Sequence, residues 1–167
     1  MPDATGLELI AQAVRERLGD EAVVATDFSH GEATLEVAPA RAREVLADLR
    51  PDWPALSSLH GNDYYPDEPR FGIHWYLLSM ERLERLHVKV RLSEPVLASV
   101  VDLYPTADFQ EREVYDMFGV VFDGHPDPRR ILMPEDYEGF PQRRDFPMGG
   151  EPVIFTFNEH KLPRWYE

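Results

Sequence analysis

The spacing of apolar residues along the first hundred positions switches between a helical and an extended period. Positions 7, 10, 11, 14 and 18 are apolar at the three- and four-residue steps of one helix face. Val88, Val90 and Leu92 alternate with polar residues, as in a half-buried strand. The same criteria predict two helices, over 5–18 and 39–49, and five strands, over 22–25, 34–37, 56–65, 71–79 and 88–92. Interleaved helices and strands indicate an α/β fold, an α+β sandwich in which the two helices cover one face of a small, mostly antiparallel sheet.

The pattern changes beyond residue 95. We expect a short third helix over 96–101 and a longer one over 107–118. Six of the 15 prolines then fall within 27 residues, at positions 126, 128, 134, 141, 147 and 152. Such a segment cannot continue a helix or enter a central sheet, yet it carries aromatic and aliphatic residues that disordered linkers lack. We therefore predict a platform domain over 1–106 and, over 107–167, a helix with an extended arm that docks on a surface and does not fold independently.

The helix predicted over 107–118 mixes charged and apolar residues on both faces. Phe109, Arg112, Glu113 and Asp116 share one side, and Glu111, Val114, Tyr115 and Phe118 share the other. A solvated helix separates the two kinds of residue, so we expect this helix to pack on two sides and its carboxylates to need cationic partners. The candidate cations are Arg129, Arg130, Arg143 and Arg144.

Composition narrows the range of functions. The 167 residues include 17 basic and 31 acidic side chains, a net charge of −14, and no cysteine. The acidic excess disfavours binding to nucleic acid, and the missing cysteines exclude disulfides, thiolate nucleophiles and cysteine-ligated metal centres on this chain. All basic residues except Lys89 and Lys161 are arginine, which suits bidentate contacts at interfaces, although a genomic bias explains the count equally well. No membrane-crossing run or secretory signal is visible, so a cytoplasmic address is expected.

Candidate catalytic chemistry is sparse. The sequence lacks the common phosphate-binding, dinucleotide-binding, nucleophile-elbow and zinc-protease motifs. Each of the six histidines is expected to be structural or exposed. One enzyme hypothesis remains, in which His125 and Asp127 act with the carboxylates between Glu111 and Asp116 in metal-dependent acid–base chemistry. A partner-docking role accounts for the same residues without a substrate pocket.

Residues 104–148 resemble the signature of a known family. The matching elements are Glu111-Arg112-Glu113, Asp116-Met117-Phe118-Gly119, Phe122, Gly124-His125-Pro126, Arg129-Arg130-Ile131-Leu132, the run from Met133 to Pro141 that includes Asp136, and Arg143-Arg144-Asp145-Phe146-Pro147. This irregular string resembles the C subunit of respiratory complex I, the proton-pumping NADH:quinone oxidoreductase. Pro128 and Gln142 depart from it, since the family usually has apolar residues there. Because the chain stops soon after the arm, we expect a stand-alone C subunit without the D-like region fused to some relatives.

The resemblance implies a non-catalytic structural subunit of the hydrophilic arm of the complex, peripheral on the cytoplasmic face of the inner membrane. It implies that residues 107–160, with the signature residues above, dock against the D subunit near the B and I subunits. The four arginines of the arm are then expected to meet carboxylates, some on the predicted helix and some across this interface. No cofactor is expected on this chain, whereas NADH, FMN, iron–sulfur clusters and quinone belong to the assembled complex. The same resemblance extends to relatives fed by ferredoxin or coenzyme F420 and to membrane-bound hydrogenases. An adaptor outside energy metabolism is a further alternative.

Overall fold

The structure, a computed structural model, describes residues 2–147, and the structural statements below concern those residues. Predicted features of residues 148–167, including the end of the extended arm and His160, lie outside the described part. The helices are α1 (Ala4–Leu18), α2 (Ala42–Leu49) and α3 (Ala107–Phe118). The strands are β1 (Val23–Ser29), β2 (Glu32–Val37), β3 (Ala55–Asp63), β4 (Phe71–Ser79), β5 (Glu84–Leu92), β6 (Val96–Ala98) and β7 (Val121–Asp123).

Five strands form one sheet in the order β1-β2-β5-β4-β3. The pairs β1–β2, β5–β4 and β4–β3 are antiparallel, and β2–β5 is parallel. The parallel pair arises because the chain leaves β2, forms α2 and the β3–β4 hairpin, and returns to the sheet beside β2. The predicted α+β fold with a mostly antiparallel sheet is therefore confirmed.

The helices lie against one face of the sheet. Leu35, Val88 and Trp75 stand in one row of that face, each fully buried. On the same face, Thr26 of β1 bonds to Glu8 of α1. At the other end, α3 packs on β3 so closely that a Cβ added to Gly61 would lie 2.9 Å from the Phe118 ring. The predicted two-helix layer is confirmed, and α3 extends it.

The expectation of a helix over 96–101 is wrong. Residues Val96–Ala98 form β6, which pairs in parallel with β7 in a separate two-stranded sheet. The ladder is extended by the N–H of Ser99, which donates to the carbonyl of Asp123 at 2.8 Å. Strand pairing with a distant segment therefore overrides the weak local helical pattern. The strand predicted over 88–92 is also longer than expected, because β5 pairs with β4 along its whole length from Glu84.

Candidate functional site

Gly119 ends α3 and brings the extended arm back onto it. Its φ of 75° is left-handed, and its N–H donates to the carbonyl of Tyr115 at 2.8 Å. A Cβ at this position would lie 2.5 Å from the Phe140 ring and 2.6 Å from the Arg143 guanidinium. The arm therefore packs directly against the end of the helix.

Asp116 holds the arm through its backbone. The side chain is fully buried, and its Oδ2 accepts the N–H groups of Ile131, Leu132 and Met133 at 3.0, 2.7 and 2.8 Å. Its Oδ1 accepts from the Arg130 guanidinium at 2.6 Å. Burial by itself raises the pKa of Asp116, but the Met133 N–H, the Arg130 guanidinium and the other two N–H groups outweigh it and hold this pKa below its ordinary value. We call this arrangement of Asp116, Arg130 and residues 131–133 the Asp116 clamp.

Two of the four candidate arginines pair through their side chains with carboxylates of residues 2–147. Arg130 pairs with Asp116 of α3, and Arg129 pairs with Asp127 of the arm itself at 2.7 Å. Arg143 instead donates to the backbone carbonyl of Phe118 at 2.6 Å and lies over two aromatic rings. Burial lowers the pKa of Arg143. The Arg144 backbone N–H bonds to Asp63 at 2.8 Å, while its side chain is exposed. Within residues 2–147, the acceptor for Arg143 is therefore the carbonyl that α3 leaves free at its end, and a carboxylate partner across the interface stays a prediction.

Glu111 is satisfied by neutral groups. Its carboxylate is fully buried and accepts the N–H of Val100 at 2.8 Å and the hydroxyl of Ser99 at 2.7 Å. Burial raises its pKa, and the two hydrogen bonds oppose this rise. The nearest cationic candidate is His125, whose Nε2 lies 4.0 Å from the carboxylate. Among residues 2–147, no arginine pairs with Glu111, so the expected arginine partner is not found there.

His125 uses both ring nitrogens in structural contacts. Nδ1 accepts the Asp127 N–H at 3.0 Å, which assigns the ring proton to Nε2, and Nε2 lies 3.1 Å from the carbonyl of Asp108. The Asp127 carboxylate is held by Arg129, which lowers the pKa of Asp127 to about 2. A proton shuttle through His125 would first have to break one of these hydrogen bonds. This geometry disfavours the acid–base enzyme hypothesis.

A second attachment joins the arm to the sheet. Arg70 makes bidentate contacts with Asp63, at 2.7 and 2.9 Å, and with Asp145 of the arm, at 2.6 and 3.0 Å. Burial raises the pKa of Asp63, but Arg70 and the N–H groups of Tyr65 and Arg144 lower it to about 2. We call Asp63, Arg70 and Asp145 the Arg70 latch. Sequence reasoning missed Asp63 and Arg70, although both carry charge beside the turn that joins two predicted strands.

Some of the remaining signature residues are packed in the structure, and the others are exposed. Phe122 is buried in β7, and Arg112 donates to the backbone carbonyls of Arg129 and Arg130. The exposed members are Glu113, Gly124, Pro126 and Asp136. Glu113 forms no hydrogen bond or ion pair with any other residue of the described part. The expected packing of α3 on two sides holds for Glu111 and Asp116, but Phe109 is 63% exposed.

The structure also brings together three histidines that are distant in the sequence. His60, His74 and His87 stack in one row across β3, β4 and β5, with ring centroids 4.9 and 5.0 Å apart. His74 Nδ1 and His87 Nε2 are 2.8 Å apart, and both rings are buried. This row lies on the face of the sheet opposite the helices. Within residues 2–147, no three metal-binding side chains are placed to hold a metal ion.

Comparison with solved structures defines the class of protein. The chain is similar to a trypsin-resistant fragment (1–134) of Nqo5, with a TM-score of 0.63 and 31% identity over 72% of this chain and 98% of that one. It is also similar to a chain of the membrane-bound sulfane sulfur reductase, an archaeal respiratory membrane complex, with a TM-score of 0.70 and 25% identity over 84% and 85% of the two chains. The fold is thus that of a subunit of a multi-subunit respiratory complex.

Residues 35–152 match the family described as respiratory-chain NADH dehydrogenase, 30 Kd subunit, and the chain belongs to this family. The C subunit of NADH-quinone oxidoreductase from Saccharopolyspora erythraea is 47% identical over 160 residues, covering 90% of this chain and 64% of that protein. The C subunit from Salinispora arenicola is 49% identical over 86% of this chain and 61% of that protein. That from Roseiflexus castenholzii is 43% identical and covers 85% of both chains. The chain therefore spans less than two thirds of two of these relatives, and the resemblance drawn from residues 104–148 is confirmed.

Proposed function

We propose that the chain is a non-catalytic structural subunit, the C subunit, of the hydrophilic arm of an NADH:quinone oxidoreductase. The complex carries electrons from NADH through FMN and iron–sulfur clusters to quinone and couples this transfer to proton translocation. The observation that carries the proposal is the family match over residues 35–152, which contains both the Asp116 clamp and the Arg70 latch. Relatives named as the C subunit of this enzyme support it at 40–49% identity.

The nearest alternative is the equivalent subunit of a complex with a different electron donor, such as ferredoxin or coenzyme F420, or of a membrane-bound hydrogenase. The likeness to a chain of the archaeal sulfane sulfur reductase shows that the fold also occurs in a respiratory membrane complex of another name. That likeness has 25% identity, well below that of the NADH-quinone oxidoreductase relatives. The identities therefore favour NADH as the donor.

In this proposal the platform domain, residues 1–106, supports a docking unit formed by residues 107–167. The unit faces the D subunit, near the B and I subunits, on the cytoplasmic face of the membrane. Within residues 2–147, no helix is long and apolar enough to cross a membrane. The clamp and the latch fix the extended arm before a partner arrives, so that docking costs less conformational entropy. Exposed signature residues without a partner in the described part, above all Glu113, are available for contacts across the interface.

We further propose that the redox groups are held by neighbouring subunits. A cysteine-ligated iron–sulfur cluster needs thiolates that this chain does not have. The packed charged residues of α3 and the arm, such as Arg112, Asp116 and Arg143, are committed to backbone groups or to one another, as in a structural scaffold. The chemistry of the complex then depends on this chain through assembly.

The test is purification of a tagged copy from its native membrane, with mass spectrometry of the chains that accompany it. We expect the D, B and I subunits and the NADH-binding input module. A ferredoxin- or F420-linked input module would support the alternative. Absence of all quinone oxidoreductase subunits would overturn both.

A further inference from the structure

The two edge strands of the five-stranded sheet differ in whether their outward backbone groups have hydrogen-bond partners. The β3 edge is sealed by α3: the side-chain oxygen of Gln110 accepts the N–H of Leu59, and the hydroxyl of Thr106 donates to the carbonyl of Leu56 at 3.1 Å. Polar backbone groups of β3 that would otherwise face outward thus find partners within the chain.

The β1 edge has no such cover in the described part of the chain. Five of its seven residues are exposed, including Val24 at 60% and Phe28 at 43%. Within residues 2–147, no hydrogen bond joins the backbone of Val24–Ser29 to any element other than β2. A row of unpaired N–H and C=O groups about 20 Å long therefore remains along the outer side of the strand.

The edge also lacks most features that protect natural edge strands. It contains no lysine and no proline, and its only charged residue is Asp27. A bulge between Val23 and Ala25 affects only its first residues. The five residues that follow pair with β2 without interruption, so they present a regular template for another strand.

The charged side chains near the β1 edge indicate what kind of strand could pair with it. On the helix-free face, Ala25, Asp27 and Ser29 of β1 lie opposite Glu36, Thr34 and Glu32 of β2. Lys89 pairs with Glu36 at 3.0 Å, but Glu32 faces the buried His87 at 3.8 Å. Among residues 2–147, Asp27 accepts a hydrogen bond only from the Ser29 hydroxyl. A basic side chain beside Asp27 is therefore favoured, with apolar side chains beside Val24 and Phe28. Self-pairing of two copies would bring two acidic edges together, which disfavours it.

We propose that β1 accepts an added strand from another subunit of the complex, an extended segment that alternates apolar and basic residues. Main-chain hydrogen bonds hold the segment, and Asp27 selects its charge. The inference rests on the proposed function in one respect, since the segment belongs to a partner in the assembled complex. It adds an attachment on the platform domain, at the end of the sheet opposite α3.

The absence of cysteine from this chain makes a direct test possible, because each introduced cysteine is the only one on this chain that a thiol-reactive label can modify. Val24→Cys and Ser29→Cys place a short photo-cross-linker at the two ends of β1 in the purified complex. Met80→Cys, an exposed position in the β4–β5 turn, is the control. We expect both edge variants to cross-link to one stretch of one other subunit, in an order that fits a paired strand, while the control does not.

Amide exchange separates strand addition from simple coverage. In the complex, the N–H groups of Val24–Ser29 that point away from β2 are expected to exchange at least about tenfold more slowly than in the free full-length chain. The effect should alternate along the strand, and amides of the turn at 80–83 should be unchanged. Uniform slowing, no slowing, or cross-links to a second copy of this chain would overturn the proposal.

A charge variant tests the chemistry of the segment. Asp27→Lys is expected to lower the cross-linking yield at Val24→Cys by about fivefold or more, whereas Asp52→Lys, beside Arg82 of the β4–β5 turn, leaves it unchanged. Equal yields would contradict the assignment of a basic segment. If the chain is purified within the complex but the edge variants fail to cross-link, strand addition alone fails. If no part of a quinone oxidoreductase accompanies the chain, the proposed function fails.

Discussion

The Asp116 carboxylate lies 2.6 Å from the Arg130 guanidinium and also accepts three successive backbone N–H groups of the extended arm. One helical side chain thereby fixes the path of a segment that has no helix or strand of its own between residues 124 and 147. Such a segment can present a defined surface only if its backbone is held in this way.

Asp116→Asn tests the clamp. The amide keeps the shape of the side chain but removes the charge that Arg130 needs and brings a donor close to the arm's N–H groups. We expect a loss of about 3 kcal/mol in the free energy of unfolding, measured with urea. Asp52→Asn, which breaks an ion pair between two exposed side chains, Asp52 and Arg82, is the control and should change stability little. Equal effects of the two variants would show that the clamp has no special role.

Gly119→Ala tests the packing of the arm on the end of α3. The added methyl group meets both a left-handed φ and the side chains of Phe140 and Arg143, so we expect a loss of about 2 kcal/mol or more. Gly124→Ala is a matched control, because its φ of 82° is also left-handed but no atom lies within 4 Å of the added Cβ. Its expected cost is about 1 kcal/mol. Thermal unfolding of both variants measures the two losses of stability. A loss in Gly124→Ala as large as that in Gly119→Ala would refute the packing argument.

Arg70→Gln tests the latch by proteolysis. Trypsin cleaves after Arg143 and Arg144, and the latch holds the backbone of this region against Asp63. We expect the initial rate of cleavage there to rise several-fold while the fold remains intact by circular dichroism. Arg82→Gln removes an exposed pair with Asp52 and serves as the control. An unchanged rate in Arg70→Gln would mean that other contacts hold the arm.

The stacked histidines predict how stability depends on pH. Burial, together with repulsion from nearby cations, lowers the pKa of His74 from the ordinary 6.5 to about 3. Burial also lowers the pKa of His87 to about 4, although the carboxylate of Glu32 opposes this shift. Between pH 6.5 and 4 the unfolded chain binds protons that the folded chain does not, so stability falls as pH falls through this range. The shift of His87 corresponds to about 3 kcal/mol.

Urea unfolding at pH 7, 6, 5 and 4 measures this dependence. His74→Gln should reduce the slope above pH 4. The pKa of Asp63 is lowered to about 2, so the stability that its carboxylate contributes is lost only below pH 4. This loss can therefore be separated from the effect of the histidines. A stability that stays flat from pH 7 to 4 would contradict the assignment of buried, neutral histidines.

Local patterns predicted much of the fold. The periodicity of Leu7, Ala11 and Val14 located α1, and the alternation of Val88, Val90 and Leu92 located β5, because both patterns are set by burial of one face. The helix expected over 96–101 was wrong because Val96–Ala98 pairs with Val121–Asp123, a partner that no local pattern reveals.

The sequence predicted which residues belong to the site better than it predicted which residues bond to each other. The signature pointed to Asp116 and Arg130, which do pair, but it did not indicate that Arg143 donates to the Phe118 carbonyl. Every residue has a backbone carbonyl, so the sequence does not indicate which carbonyl a given side chain will bond to. The histidine row was missed for a similar reason, since it forms only through the register of β3, β4 and β5.

Docking of the chain into the complex through α3 and the extended arm can be probed with Glu113→Ala. Glu113 is exposed and unpaired in the described part, so its loss should spare the fold, unlike loss of the packed Arg143. Arg143→Ala serves as a second variant and Glu81→Ala, an exposed position in the β4–β5 turn, as the control.

The measurement is the amount of assembled complex per membrane protein, together with quinone reductase turnover per assembled complex. We expect Glu113→Ala and Arg143→Ala to lower assembly severalfold, with turnover per complex preserved and the Glu81→Ala control unaffected. Normal assembly of Glu113→Ala with turnover per complex abolished would show that docking is not the role of this surface.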